Sequence, residues 1–134
     1  MTVEEIMYYG RYYDFEDPGH HLWWFDLSDG TVYPFDELVK DFGYVSQEDI
    51  ISAGKYIPLF ETDIVVLEQE FLKQRSLKMN DSKDADFDVN FKIYIDENNL
   101  WEAWHDFEYR RLYQDAVNWC RENHIGNNLI MQSD

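Results

Sequence analysis

The clearest alternation of apolar and polar positions runs from His20 to Phe35, where His-Leu-Trp-Trp-Phe-Asp-Leu is followed by Ser28-Asp29-Gly30 and then Thr-Val-Tyr. Two β-rich runs joined by Asp-Gly predict a hairpin, because glycine supplies the positive φ that a tight turn demands. Pro34 ends the second run, and Asp36 is placed to cap a short helix that closes at Gly43. Upstream, Thr2 and Glu5 have capping-box spacing and Ile6, Tyr9 and Tyr13 follow at helical steps, so a short first helix is expected. Asp14-Phe-Glu16-Asp17-Pro18-Gly19 then reads as an acidic turn.

Ser46 with Asp49 repeats the capping spacing and opens a turn of helix that Gly54 stops, after which Lys55 to Phe60, marked by Pro58, fits an edge strand. Thr62 is positioned to cap an amphipathic helix through about Arg75, with Ile64, Val65, Leu67, Glu68, Phe71 and Leu72 at helical steps. From Ser76 to Asp88 the periodicity is lost and a loop is expected. Phe91 to Ile95 fits either a strand, by alternation and β-branching, or a helix, by its neighbours. Asn98 or Asn99 is placed to cap the longest helix, Leu100 to Asn123, whose Trp101, Trp104, Phe107, Leu112, Ala116, Trp119 and Cys120 fall broadly on one side. The fold class is α+β: a small antiparallel sheet from the hairpin and the Tyr56 strand, packed by helices. Length suggests one domain over residues 1–126 with one core, and a frayed tail at 127–134.

Several of these steps together resemble a family of small acidic bacterial proteins of uncharacterised function. The residues that carry the likeness are Asp26-Leu27 with Gly30-Thr31-Val32, Tyr56-Ile-Pro-Leu59, the helix Ile64-Val-Val-Leu-Glu-Gln-Glu-Phe71, and Trp104, Phe107, Ala116, Trp119, Glu122, Asn123 and Ile125. The likeness spans roughly residues 20–125. It departs over 81–92, which is acidic here where the family carries glycine, alanine and phenylalanine among arginines. The resemblance implies that Phe91 to Ile95 is helical, and it brings no activity with it.

Charge changes the picture most. The net charge is −17, and residues 1–67 hold 14 acidic and 3 basic side chains against 14 and 8 in residues 68–134. Such a field repels phosphate backbones and anionic lipid, so direct nucleic-acid binding and membrane-surface binding are disfavoured. An aromatic share of 18% argues against a disordered acidic tail, because those rings supply burial. The lone Cys120 excludes an intrachain disulfide and a cysteine-based zinc cage, and the N-terminus lacks the basic and apolar regions of a secretion signal. A cytoplasmic location is the expectation.

No catalytic motif emerges, and neither a catalytic residue nor a cofactor is assigned. His20-His21, beside Asp14, Glu16 and Asp17, has metal-ligand chemistry, but adjacent strand residues face opposite ways. Asp81, Asp84, Asp86 and Asp88 alternate like calcium ligands, without the central glycine and closing glutamate of such a loop. Trp23-Trp24-Phe25 turns one aromatic outward unless helices cover both faces of the sheet. The leading expectation is a non-catalytic interaction module that docks a basic protein, with Asp14, Glu16, Asp17, Asp81, Asp84, Asp86 and Asp88 as its candidate surface. The alternatives are an acidic nucleic-acid mimic that occupies a DNA- or RNA-binding protein, and a small metal-dependent hydrolase built on His20 or His105.

Overall fold

A computed structural model describes residues 2–10, 21–79 and 86–125. Its order is α1 (Val3–Tyr9), β1 (Trp23–Asp26), β2 (Val32–Pro34), α2 (Phe35–Phe42), α3 (Gln47–Ala53), β3 (Tyr56–Pro58), α4 (Ile64–Gln74), α5 (Phe87–Glu97) and α6 (Trp101–Glu122). This is an α+β fold with one three-stranded antiparallel sheet, ordered β2-β1-β3. Among the described residues no helix is long and apolar enough to cross a membrane.

The chain gathers into two compact units. A sheet unit comprises Met1–Thr62 with Leu112–Asp134, and a helical unit comprises Asp63–Arg111. Length suggested one core, whereas the buried apolar side chains form separate clusters. In the sheet unit, β1 is the central strand and its neighbours face opposite ways. Phe25 packs with Val3, Ile6, Leu59, Ala116 and Trp119, while Trp24 packs with Leu38, Ile50 and Tyr56. Both side chains are fully buried, and Trp23 is half-buried against the first cluster. Helices therefore cover both faces, and the hairpin turns no bare aromatic to water. The register places Trp24 opposite Tyr33 and Pro58, and Phe25 opposite Val32 and Ile57, so each cluster draws on all three strands. Trp119 Nε1 donates to the carbonyl of Pro58 at 3.1 Å, which satisfies the indole inside the cluster.

Helix starts differ from expectation in three places. Asp63 caps α4 in place of Thr62, its carboxylate accepting from Val65 and Val66 N–H. Helix α2 begins after Pro34 with no side-chain cap, and Asp36 lies in its first turn, where a carboxylate still suits the helix dipole. Asn98 and Asn99 do not open α6; they end α5. Of the loop expected over Ser76 to Asp88, residues 80–85 lie outside the described residues, and its end is helical: the Asp86 side chain accepts from Val89 N–H at 2.9 Å and starts α5. That helix settles the ambiguity at Phe91 to Ile95, and it is the helix the family resemblance implies. A strand would set Phe91, Ile93 and Ile95 on one face, but Phe91 and Ile95 are buried while Ile93 is exposed, as a 3.6-residue period requires. The resulting helical cluster joins Leu67, Phe71, Leu72, Phe91, Ile95 and Trp104.

Three helices end alike. At α4, Leu77 N–H reaches the Leu72 carbonyl and Ser76 N–H that of Lys73; at α5, Leu100 reaches Ile95 and Asn99 reaches Asp96; at α6, Ile125 reaches Cys120 and His124 reaches Arg121. This is the Schellman pattern, and Ser76, Asn99 and His124 each adopt the positive φ that it needs. None is glycine, so each carries a cost on the order of 1 kcal/mol. Ser76→Gly should therefore stabilise the protein by about 0.5–1 kcal/mol, read as a higher urea midpoint. An unchanged or lower midpoint would show that α4 ends differently.

Gly10 meets a different constraint. It ends α1 with ordinary helical φ, yet a Cβ added there would overlap the Phe60 ring. Gly10→Ala should cost about 1–3 kcal/mol by overpacking. Adding Phe60→Leu should recover part of that loss, and a double variant no more stable than the single one would contradict the contact.

Candidate interaction surface

Of the expected partner surface, Asp14, Glu16, Asp17, Asp81 and Asp84 lie outside the described residues, as does His20. The other two acids have structural work. Asp86 caps α5, and Asp88 in its first turn holds Lys92 Nζ at 3.1 Å. His21 Nδ1 sits 3.2 Å from Glu61 Oε1, and the His21 N–H donates to Gln47 Oε1. His105 is exposed on α6 and stacks on Trp101, with ring centroids 5.6 Å apart. Among the described residues no group of three or more His, Cys, Asp or Glu is placed to hold a metal ion. Two surface grooves, one along Thr2, Glu4, Glu5, Tyr8 and Tyr9 and one beside Asn90, Tyr94 and Glu97, include no histidine among their described linings.

Two buried carboxyl groups show opposite chemistry. Asp26, at the end of β1, is held below its ordinary pKa: burial opposes ionisation, but the Ser28 hydroxyl and N–H both donate to Oδ1 and Lys55 Nζ lies 3.8 Å from Oδ2. Glu68 lies on the buried stripe of α4, fully buried between Leu67, Phe71 and Leu72, where an apolar side chain would fit the period. Among the described residues no amide, amine or hydroxyl group donates to either of its oxygens or to Asp88 Oδ1, so a proton joining the two carboxyl groups must be carried by one of them. Burial pushes the Glu68 pKa up to about 9, reinforced by the hydrogen bond to Asp88 and by the Asp88 and Glu108 charges, with Lys92 opposing. Glu68 is therefore neutral near pH 7 and its own proton bridges to Asp88. Asp88 moves the other way, below its ordinary value: burial opposes this, and the hydrogen bonds from Glu68 and Lys92 outweigh it.

Exposed apolar side chains add two further groups to the surface. On α6, Trp101, His105 and Tyr109 recur at four-residue steps and face solvent, with exposed Glu102 and Asp106 alongside. Trp101 Nε1 donates to Asp96 Oδ1 at 3.1 Å, which fixes the indole. Sequence periodicity placed Trp101 on the core wall; it is 36% exposed. In the sheet unit, Phe42, Val45 and Ile51 are exposed on α2, α3 and their connection, among Asp36, Asp41, Glu48 and Asp49. The sequence pattern assigned Trp101 to the core and His105 to a candidate hydrolase site, and it did not join them with Tyr109 as one exposed row or single out Phe42, Val45 and Ile51. Comparison with protein-family models, curated proteins and solved structures finds no match. The likeness to the acidic family rests on its motifs alone.

The buried pair fixes a pH dependence. Between the ordinary glutamate value of 4.5 and about 9, the folded protein keeps a proton on Glu68 that the unfolded chain has released. Stability contributed at low pH is thus lost as pH rises across that window, by up to about 1.4 kcal/mol per unit. Asp88, held low, contributes stability above its ordinary value of 3.8 that is lost as pH falls through its depressed value. Glu68→Gln, which keeps a donor for Asp88 and cannot ionise, should stabilise the protein by about 1–3 kcal/mol at pH 8 and little at pH 4.5. Urea unfolding across that range gives the test; equal gains at both pH values would contradict a proton held on Glu68.

Proposed function

We propose that this chain is a non-catalytic interaction module of the cytoplasm whose acidic, aromatic-containing surface docks a basic protein. The observation that supports it best is the α6 ridge. Trp101 and Tyr109 stand exposed at helical spacing on a chain of net charge −17, with Glu102 beside them and Asp106 paired to Arg110 Nε at 3.3 Å. Large rings bring contact area at low conformational cost, and flanking carboxylates favour a lysine- or arginine-bearing partner through charge and cation–π attraction. The surrounding field speeds encounter with a basic protein and repels acidic ones.

The test is capture by the immobilised full chain at low and high salt, followed by titration of the purified captured protein. A basic protein should be retained at low salt and released at high salt. Trp101→Ala with Tyr109→Ala should weaken its binding roughly tenfold or more while the salt dependence persists. No basic protein retained at low salt would contradict the proposal. Release by duplex DNA at constant ionic strength would move it toward nucleic-acid mimicry.

A further inference from the structure

The connection between α2 and α3 and the residues flanking it carry exposed apolar side chains. Val45 directly precedes the Ser46 cap of α3, the position from which an apolar residue commonly packs onto the fourth helical residue and fixes the entry of the chain. That fourth residue, Ile50, is fully buried with Trp24, Leu38 and Tyr56, while Val45 is 83% exposed. The staple is not made. Phe42, the last residue of α2, is 49% exposed, yet its ring is braced edge-on against Tyr33 at 5.4 Å. Tyr44 is braced in the same manner on Tyr56 at 5.8 Å. Ile51 adds a third exposed apolar side chain. Between Phe42 and Tyr44, Gly43 turns the chain at φ +77° with open space around it.

Charge says what fits there. Asp36, Asp41, Glu48 and Asp49 are exposed on the same helices, with Lys40 as the exposed base among them. A second copy would bring identical acids against them, and anionic lipid or nucleic acid would be repelled likewise. We infer that the α2–α3 shelf is a docking surface for a basic amphipathic helix of a partner protein. The apolar stripe of that helix covers Phe42, Val45 and Ile51, and its lysines or arginines face Asp41, Glu48 and Asp49. This rests on a basic partner, as proposed above, but on residues separate from the α6 ridge.

The test uses the full chain and a synthetic leucine–lysine amphipathic helix, with a serine–lysine peptide of equal charge as control. The leucine–lysine helix should bind at low salt, shift the backbone amide signals of residues 41–52, and bind at least about tenfold more tightly than the control. Val45→Ser with Ile51→Ser changes only exposed side chains and should remove that advantage, while Asp41→Asn with Glu48→Gln should flatten the salt dependence. Equal binding of the two peptides, shifts confined to other residues, or affinity unmoved by the Val45 and Ile51 changes would overturn the shelf and leave the α6 test standing. Failure of the leucine–lysine helix to bind at all would overturn it too. So would a dimer in sedimentation that Val45→Ser dissociates, because the occupant would then be a second copy.

Discussion

Adjacent residues on a strand point to opposite faces, and in β1 those residues are Trp24 and Phe25, both fully buried. No half-solvated sheet can hold that pair. The strand must lie between two strands and between two layers of helix, and the sheet unit answers each demand: β2 and β3 flank it, α2 and α3 meet the Trp24 face, and α1 with the end of α6 meets the Phe25 face. The order β2-β1-β3 follows, with Pro34 and Pro58 closing the outer strands, where a missing N–H costs least. The fixed shape of the turn belongs to the same constraint. Asp26 leaves β1 into a buried position, and Ser28, two residues on, supplies the donors that let it remain charged there.

The helical unit solves the same problem differently. Burial alone pushes both Asp26 and Glu68 toward the neutral form; local donors separate them. Asp26 finds a hydroxyl, an N–H and a nearby ammonium, so ionisation wins. Glu68 faces Asp88 and Glu108, with Lys92 engaged on Asp88, so protonation wins and the extra proton itself becomes the hydrogen bond. A leucine on the same stripe would avoid this cost but deprive Asp88 of the hydrogen bond from Glu68. The two carboxyl groups therefore stand or fall together.

Much of the architecture was legible because local signals agreed with one another. The hairpin, the Thr2–Glu5 box, the Ser46 cap and the Gly43 and Gly54 stops all appear where sequence placed them. Misplaced boundaries arose where two chemically suitable residues sat side by side: Thr62 and Asp63 are both good caps, and Asn98 and Asn99 can open a helix or tolerate the left-handed turn that closes one. Phe91 to Ile95 was ambiguous because three apolar residues at alternate positions satisfy a strand as well as a helix, and the Asp86 cap together with the burial of Phe91 and Ile95 but not Ile93 separates them. The candidate surface was less legible. Exposure depends on which neighbour covers a side chain, and that is a tertiary fact: Trp101 and Trp104 differ by three residues, yet one faces solvent and the other is buried.

Exposed apolar side chains and a large net charge belong to one arrangement. Phe42, Val45 and Ile51, or Trp101 and Tyr109, would invite self-association on a neutral protein. On a chain of −17 every copy carries the same acids beside the same apolar groups, so bringing two such patches together desolvates like charges at the rim. On the proposed reading the charge acts as a filter, because it favours a partner of opposite sign over a second copy at the hydrophobic surface. Lowering the charge would then weaken attraction to the proposed basic partner and, in the same step, weaken the repulsion between copies of this chain at these side chains.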